Sequence, residues 1–369
     1  MRLPVVDVHT IGAGGGSIAW LDQMKMLHVG PQSAGADPGP ACYGRGGEEP
    51  TSTDADLVLG YLNPDFFLGG EMTVDRSLAE RSLKTKIADP LGLDVVGAAR
   101  AVRKIIDHSM SDAISEVSVQ RGEDPRRYVL VAAGGAGPVH VAALARLLGV
   151  KSIMIPRDSS IFCAIGSIIA DLRHDLVKSV VVKTASADAG ALNAAFDDLR
   201  TLGDGYLGRE GISPDDRYYR RSIDMRYKGQ FHEVELPVAD GDLTAQTIDR
   251  IVEDFHRRHE ELYAYRDNTE TEMINVRVAA CGRVAPPVRN VVGNGAGRDA
   301  SRYVKGRRNV YFEEASDFVS TSIYDGDHMT AGNIVHGPAV IEESTTTIVV
   351  PPGARLEVTD YGDYMMTLQ

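Results

Sequence analysis

Two glycine-rich turns hold the residues best suited to chemistry in this 369-residue chain. Gly134-Gly135-Ala136-Gly137 follows a short apolar, β-branched run at residues 129–133 that reads as a buried strand. From Pro138 onward Val139, Ala142, Ala143 and Leu147 recur at helical spacing. A proline suits a first helical position, because its missing N–H has no partner there. A strand, a small-residue turn and a helix start together form an anion site of free amides and helix dipole. Two readings stand for these residues, a cradle for a nucleotide's phosphates and a plain tight strand-to-helix connection. The second turn is Gly12-Ala13-Gly14-Gly15-Gly16-Ser17. It departs from the dinucleotide fingerprint, since Ser17 stands where the third glycine belongs. A hairpin rather than a helix comes next, with a strand at 17–21, a turn at Asp22-Gln23 and a return from Met26. Such a turn presents N–H groups to an anion, or serves as a packed bend or hinge.

Other reactive side chains are more scattered. Cys42 sits in a Gly- and Pro-dense loop at 30–50 with Asp37, Tyr43 and Arg45, and no local base accompanies it. A loop of that length within a domain is expected to be functional. His108 and Asp112 lie four apart on one helix, which is ligand spacing, but no third ligand is evident, so a surface pair is expected. His232 reads as a strand-face residue, and His256 with His259 as part of a solvated helix face.

The elements that position these residues alternate. A helix at 53–62 carries Asp54 and Asp56 near its start, where the dipole favours carboxylates. A long amphipathic helix at 91–119, with Asp94 as its cap, aligns Val95, Ala98, Val102, Ile105, Ile106, Met110, Ala113 and Val117. Strands at 152–155 and 176–182 and a helix at 161–172 extend the strand at 129 into a βαβαβ run. A helix at 192–207, a hairpin at 218–237, a helix at 244–263 and a strand at 273–284 follow. Residues 286–302 read as a linker, and the remainder as short strands of a small sandwich or barrel-like unit. Length suggests two or three domains. The expected division is 1–183, 184–290 and 291–369, in an α/β chain with an α+β and then a mainly β region.

Composition narrows the class. A formal charge of −13 repels phosphate backbones and anionic lipid, which disfavours a nucleic-acid partner. Three cysteines without framework spacing point to a reducing compartment. No run of about 18 apolar residues is present, so no membrane span is expected. The first twenty residues lack a basic start with an apolar core, so no secretion signal is expected. Together these give a cytoplasmic protein.

The chain resembles the C-terminal half of the hydantoinase A / 5-oxoprolinase family, which includes acetone and acetophenone carboxylase subunits. The resemblance rests on VDVHTIGAGGGSIAW from Val6, VGPQSAGADPGPACYGRGG from Val29, TDADLVLGYL from Thr53, VQRGEDPRRYVLVAAGGAGPVH from Val119, DMRYKGQFHEVELPV from Asp224 and GPAVIEESTTTIVVPPG from Gly337. It implies an actin-like ATPase lobe, with Gly134, Gly135, Ala136 and Gly137 on the adenosine side of ATP and Gly12, Gly14, Gly15, Gly16 and Ser17 near the phosphates. It also implies Mg²⁺, for which Asp7 and His9 are the local candidates. The implied chemistry is phosphorylation of a carbonyl or amide oxygen, driving cyclic-amide hydrolysis or, alternatively, ketone carboxylation. The resemblance further implies partners: a complementary N-terminal hydantoinase A half, a hydantoinase B-type subunit, and a small carbonyl or lactam substrate. A non-catalytic structural subunit is the remaining alternative. Two departures from the family pattern are present. Its early GxDxGGTxTD motif is absent, and Arg157-Asp158-Ser159-Ser160 replaces a Pro/Gly-containing turn.

Overall fold

A computed structural model describes residues 8–289, 291–292 and 297–369. They group into two compact units, residues 166–287 and the described residues before and after that stretch.

The site-bearing unit begins with the expected hairpin. β1 (Ser17–Leu21) pairs antiparallel with β2 (Leu27–Ser33). α1 (Ser52–Val58) comes next, shorter than the sequence suggests. Gly60 ends it at φ +83°, and a Cβ there would stand 2.3 Å from the Asn309 carbonyl oxygen, so close packing stops the helix. Thr51 and Asp54 form a capping box at its start. The Asp54 carboxylate also accepts from the amides of Ala41 (3.2 Å) and Cys42 (2.7 Å), which anchors the Gly- and Pro-rich loop to the helix. α2 (Arg76–Leu83) and the short α3 (Asp89–Leu91) lead to α4 (Val95–Val119), capped by Asp94 through the Gly97 amide. Ala98, Val102 and Ile106 of α4 are buried, and Ala98 and Val102 join a core with Leu57, Leu83 and Val310.

β3 (Leu130–Val131), α5 (Gly137–Leu148) and β4 (Ser152–Ile155) form a parallel βαβ unit. The expected buried strand is instead a two-residue edge strand, with Val129 and Val131 each 48 % exposed. The βαβαβ expectation also stops here. α6 (Phe162–Ile169) buries no side chain, and β5 (Leu172–Lys183) joins a different sheet.

That sheet belongs to the second unit. β6 (Arg217–Tyr227), β7 (Val234–Val238) and β8 (Thr271–Gly282) join β5 in the all-antiparallel order β5-β8-β6-β7. α7 (Ala189–Arg209) and α8 (Ala245–Tyr263) pack against this sheet, burying Phe196, Ile223, Phe255 and Val276. The solvated reading of His259 fails. It is buried between Tyr227, Phe255, Tyr263 and Tyr265, because α8 turns that side toward the hairpin.

The tail is not a separate unit. β9 (Val304–Phe312), β10 (Asp317–Asp325), β12 (Ala339–Glu342) and β13 (Thr347–Val350) form one sheet. β11 (Ile334–His336), β14 (Arg355–Val358) and β15 (Tyr364–Thr367) extend β4 and β3, in the order β11-β14-β15-β4-β3. β15 pairs with β4 through Tyr364 and Ile155, which fuses the tail to the first part of the chain. The three-part division therefore gives way to an inserted α/β unit between two halves of the site-bearing one.

Candidate functional site

The two glycine turns meet. A Cβ built on Gly15 would lie 3.6 Å from the Ala136 Cβ, so the two turns lie side by side. Ser17 shapes the first turn rather than facing outward. Its buried hydroxyl donates to the Gly12 carbonyl (3.2 Å) and accepts from the Gly14 amide (2.9 Å). Thr53, at the start of α1, donates from its amide (2.9 Å) and hydroxyl (2.8 Å) to the Gly15 carbonyl. Gly12 adopts φ +64° against Pro31, a conformation that favours glycine. The second turn is held by the Ser159 carbonyl, which accepts from the Gly134 amide (2.6 Å), and by the Thr346 hydroxyl, which donates to the Gly135 carbonyl (2.8 Å).

These ties use carbonyls and leave amides open. Among the described residues, the N–H groups of Gly15, Gly16, Gly135 and Ala136 find no acceptor within the chain. α5 starts at Gly137 with no side-chain cap. A Cβ on Gly14, Gly134 or Gly137 would meet nothing within 4 Å, so this part of the junction faces open space. Open amides at a helix start and bare backbone make an anion cradle.

A buried ionic network braces the junction from below. Arg103 of α4 bonds Asp56 of α1, Asp107 (2.8 Å) and the Val139 carbonyl of α5 (2.7 Å). His140 of α5 places Nδ1 2.6 Å from Asp107 and Nε2 3.5 Å from Asp56. Burial pulls the Arg103 guanidinium down, but Asp56 and Asp107 beside it outweigh that and push it up. Burial pushes Asp107 up, but Arg103 and His140 hold its carboxyl below the usual carboxylate range. Three helices are thus pinned to one another directly under the turns.

A cavity flanks the junction on each side. The larger, about 960 Å³, is walled by Met110, Ala113 and Val117 of α4 and by β3, with Gly14 and Gly134 to Gly137 at one end. The apolar stripe expected on α4 therefore divides, its first half packing in the core and its second half lining this cavity. The smaller cavity, about 390 Å³, carries Gly15, Gly16, Gly135 and Ala136 on one wall and Arg45, Phe66 and Glu343 on others. Arg45 stacks over Tyr43 and has no carboxylate partner among the described residues.

Sequence reasoning missed Glu343. Glu342 beside it pairs with Arg308 (2.7 Å) and Lys305 (2.9 Å), whereas Glu343 is 5 % exposed and receives the Tyr364 hydroxyl. Burial pushes its carboxyl up to about 7, against the lowering effect of Tyr364 and Arg157. The only signal in the sequence is a pair of acids ending an apolar strand.

The remaining candidates hold no centre. His9 is exposed and lines the larger cavity, and Asp7 lies outside the described residues. Among the described residues no group of three or more His, Cys, Asp or Glu is placed to hold a metal ion. The chain's own described groups thus do not fit the Mg²⁺ that the resemblance implies. His108 and Asp112 are both exposed. Cys42 is buried, and burial, with Asp54 beside it, pushes its thiol up and away from nucleophilic use. No helix among the described residues is long and apolar enough to cross a membrane.

The same stretches are shared with known proteins. The hydantoinase/oxoprolinase profile matches residues 1–176, and the hydantoinase/oxoprolinase C-terminal domain profile matches residues 181–362. Caprolactamase subunit alpha of Pseudomonas jessenii is 39 % identical over 369 residues, covering 99 % of this chain and 53 % of its own length. Acetophenone carboxylase gamma subunit of Aromatoleum aromaticum is 36 % identical over 384 residues, covering 98 % and 51 %. The crystal structure of the ATP-dependent caprolactamase from P. jessenii superposes with a TM-score of 0.85 at 38 % identity, covering 99 % of this chain and 53 % of that one. The chain spans about half the length of these relatives. The mixed α/β architecture is the one these proteins share.

Proposed function

This chain belongs to the hydantoinase/oxoprolinase family, and on that premise we propose that it supplies the phosphate-gripping part of an ATP-dependent enzyme acting on a small carbonyl or cyclic-amide substrate. The observation that carries this reading is the side-by-side placement of the two glycine turns, with unpaired amides on both. Gly15, Gly16, Gly135, Ala136 and the α5 start bind phosphate oxygens through backbone N–H groups. Gly134 to Gly137 lie toward the adenosine, and the apolar larger cavity receives it. Bound ATP supplies a transferable phosphoryl group. The chain's residues contribute positioning and charge neutralisation, which phosphoryl transfer chiefly needs.

Cyclic-amide (C–N) hydrolysis is the leading chemistry, supported by 39 % identity to a caprolactamase subunit. Ketone carboxylation is the second, supported by 36 % identity to a carboxylase subunit, and both begin from the same activated oxygen. The relatives' subunit names support an assembly with further subunits. The partners proposed for it are a complementary N-terminal hydantoinase A half and a hydantoinase B-type chain. A cytoplasmic setting fits the buried thiols of Cys42 and Cys281.

Gly135→Val tests the cradle. A Cβ there meets only the Thr345 carbonyl, at 3.5 Å, so the variant folds while its side chain fills the phosphate position. Affinity for a fluorescent ATP analogue should fall at least tenfold at an unchanged melting temperature. Unaltered affinity in the assembled enzyme would remove the assignment.

A further inference from the structure

We propose that the smaller cavity beside the glycine junction holds the carbonyl-bearing substrate, and that Glu343 takes up the proton the substrate loses when its oxygen is phosphorylated. This rests on the nucleotide reading above and adds the substrate's position and its base.

Geometry places Glu343 against the cradle. The turn from Glu343 to Thr346 closes through the Glu343 amide and the Thr346 carbonyl (3.0 Å), and the Thr346 hydroxyl holds the Gly135 carbonyl (2.8 Å). One turn thus ties the acid to the phosphate-binding backbone. The cavity's ~390 Å³ falls at the lower end of small-ligand pockets, with Leu62, Phe66 and Phe67 as an apolar wall and Arg45, Asp56 and Asn63 among its polar lining. That lining suits a compact ring or ketone with one carbonyl. Arg45 supplies the unpaired cation for charge developing on the transferred group.

Glu343 is buried with a single, distant counter-ion. Arg157 Nε stands 3.7 Å from it, beyond hydrogen-bond range, and the guanidinium donates instead to the carbonyls of Gly326 (3.0 Å) and Asp327 (2.6 Å). The titratable groups facing it are Tyr364, Arg157, Asp327 and Asp158. Tyr364 and Arg157 lower its affinity for a proton, and the two aspartates raise it. The result is a carboxyl titrating near neutrality, suited to accept and return a proton.

In the step, the substrate's carbonyl oxygen forms a bond to the transferred phosphorus as the bond to ADP breaks. For a cyclic amide, the N–H electron pair becomes the C=N bond and the proton passes to Glu343. For a ketone, the α C–H pair becomes C=C and the proton passes the same way. Glu343 then releases it to water.

The test uses the chain assembled with the subunits that co-purify with it. ADP release is measured with 5-oxoproline, ε-caprolactam, hydantoin and acetone as probes, alongside affinity for the fluorescent ATP analogue. Glu343→Gln should leave analogue affinity within about twofold and lower ADP release by roughly 100-fold, the scale of a lost general base. Glu343→Asp should recover part of it. Arg157→Gln removes a cation that favours the carboxylate, so the rising limb of the pH–rate profile should move to higher pH. Normal ADP release and an unmoved limb in Glu343→Gln would overturn the inference. So would loss of analogue binding in that variant, since the cavity would then belong to the nucleotide. Retained analogue binding in Gly135→Val counts instead against the nucleotide reading beneath.

Discussion

Beneath the glycine junction, Arg103 is shared between Asp56 and Asp107, and His140 closes the group on the far side. Beside the junction, Glu343 is as deeply buried but has one hydroxyl donor and a guanidinium that serves other acceptors. In the first group one guanidinium bonds two carboxylates, and its members lock three helices together. The second leaves a carboxyl whose charged form the interior does not fully compensate. A closely bonded cation makes a scaffold, and a carboxyl with only a distant one is poised to exchange a proton.

The largest test breaks the paired side. Arg103→Met leaves two carboxylates in the interior without their cation, which should lower stability by roughly 3–5 kcal/mol. A urea midpoint equal to wild type would show that the network does not brace the junction. Next comes the Glu343 side, where the sign is opposite. Glu343 binds its proton more tightly folded than unfolded. Its stabilising contribution is therefore complete below about 4.5 and is lost as pH rises through about 7. Glu343→Gln abolishes that dependence, and relative to wild type it should gain about 2–3 kcal/mol between pH 4 and pH 8. Parallel stability curves across that range would equate Glu343 with an ordinary surface acid. The smallest expected effect sets the baseline. Arg100 and Glu313 form an exposed pair at 3.0 Å, and Arg100→Ala should cost under about 1 kcal/mol. A loss comparable to that of Arg103→Met would erase the distinction between buried and exposed pairing.

Much of the scaffold is legible locally. The hairpin after Gly16, the Asp94 cap, the helix from Thr244, β4 and the β12–β13 strands stand close to their expected places. The Gly134–Gly137 turn opens α5 as expected, since strand, bend and helix lie within one short stretch. Sheet membership is not legible this way. In sequence β5 reads as the next parallel strand, and β15 as part of a separate tail, because a β-branched run carries no mark of its partner. Glu343 is hidden for the same reason. Its environment comes from Arg157, Asp327 and Tyr364, residues that neighbour it only after β4 and β15 have paired.

The sequence alone determined the backbone chemistry of this protein. Glycines at two bends and a proline at a helix start fix which amides can stay bare, through steric freedom and a missing donor over a few adjacent residues. Only the tertiary structure decided that the two bends lie side by side, that a buried arginine braces them and that one acid of an adjacent pair has only a distant cation. Those outcomes depend on contacts between segments far apart in the chain, such as Thr346 with Gly135, 211 residues apart, and no local pattern encodes them.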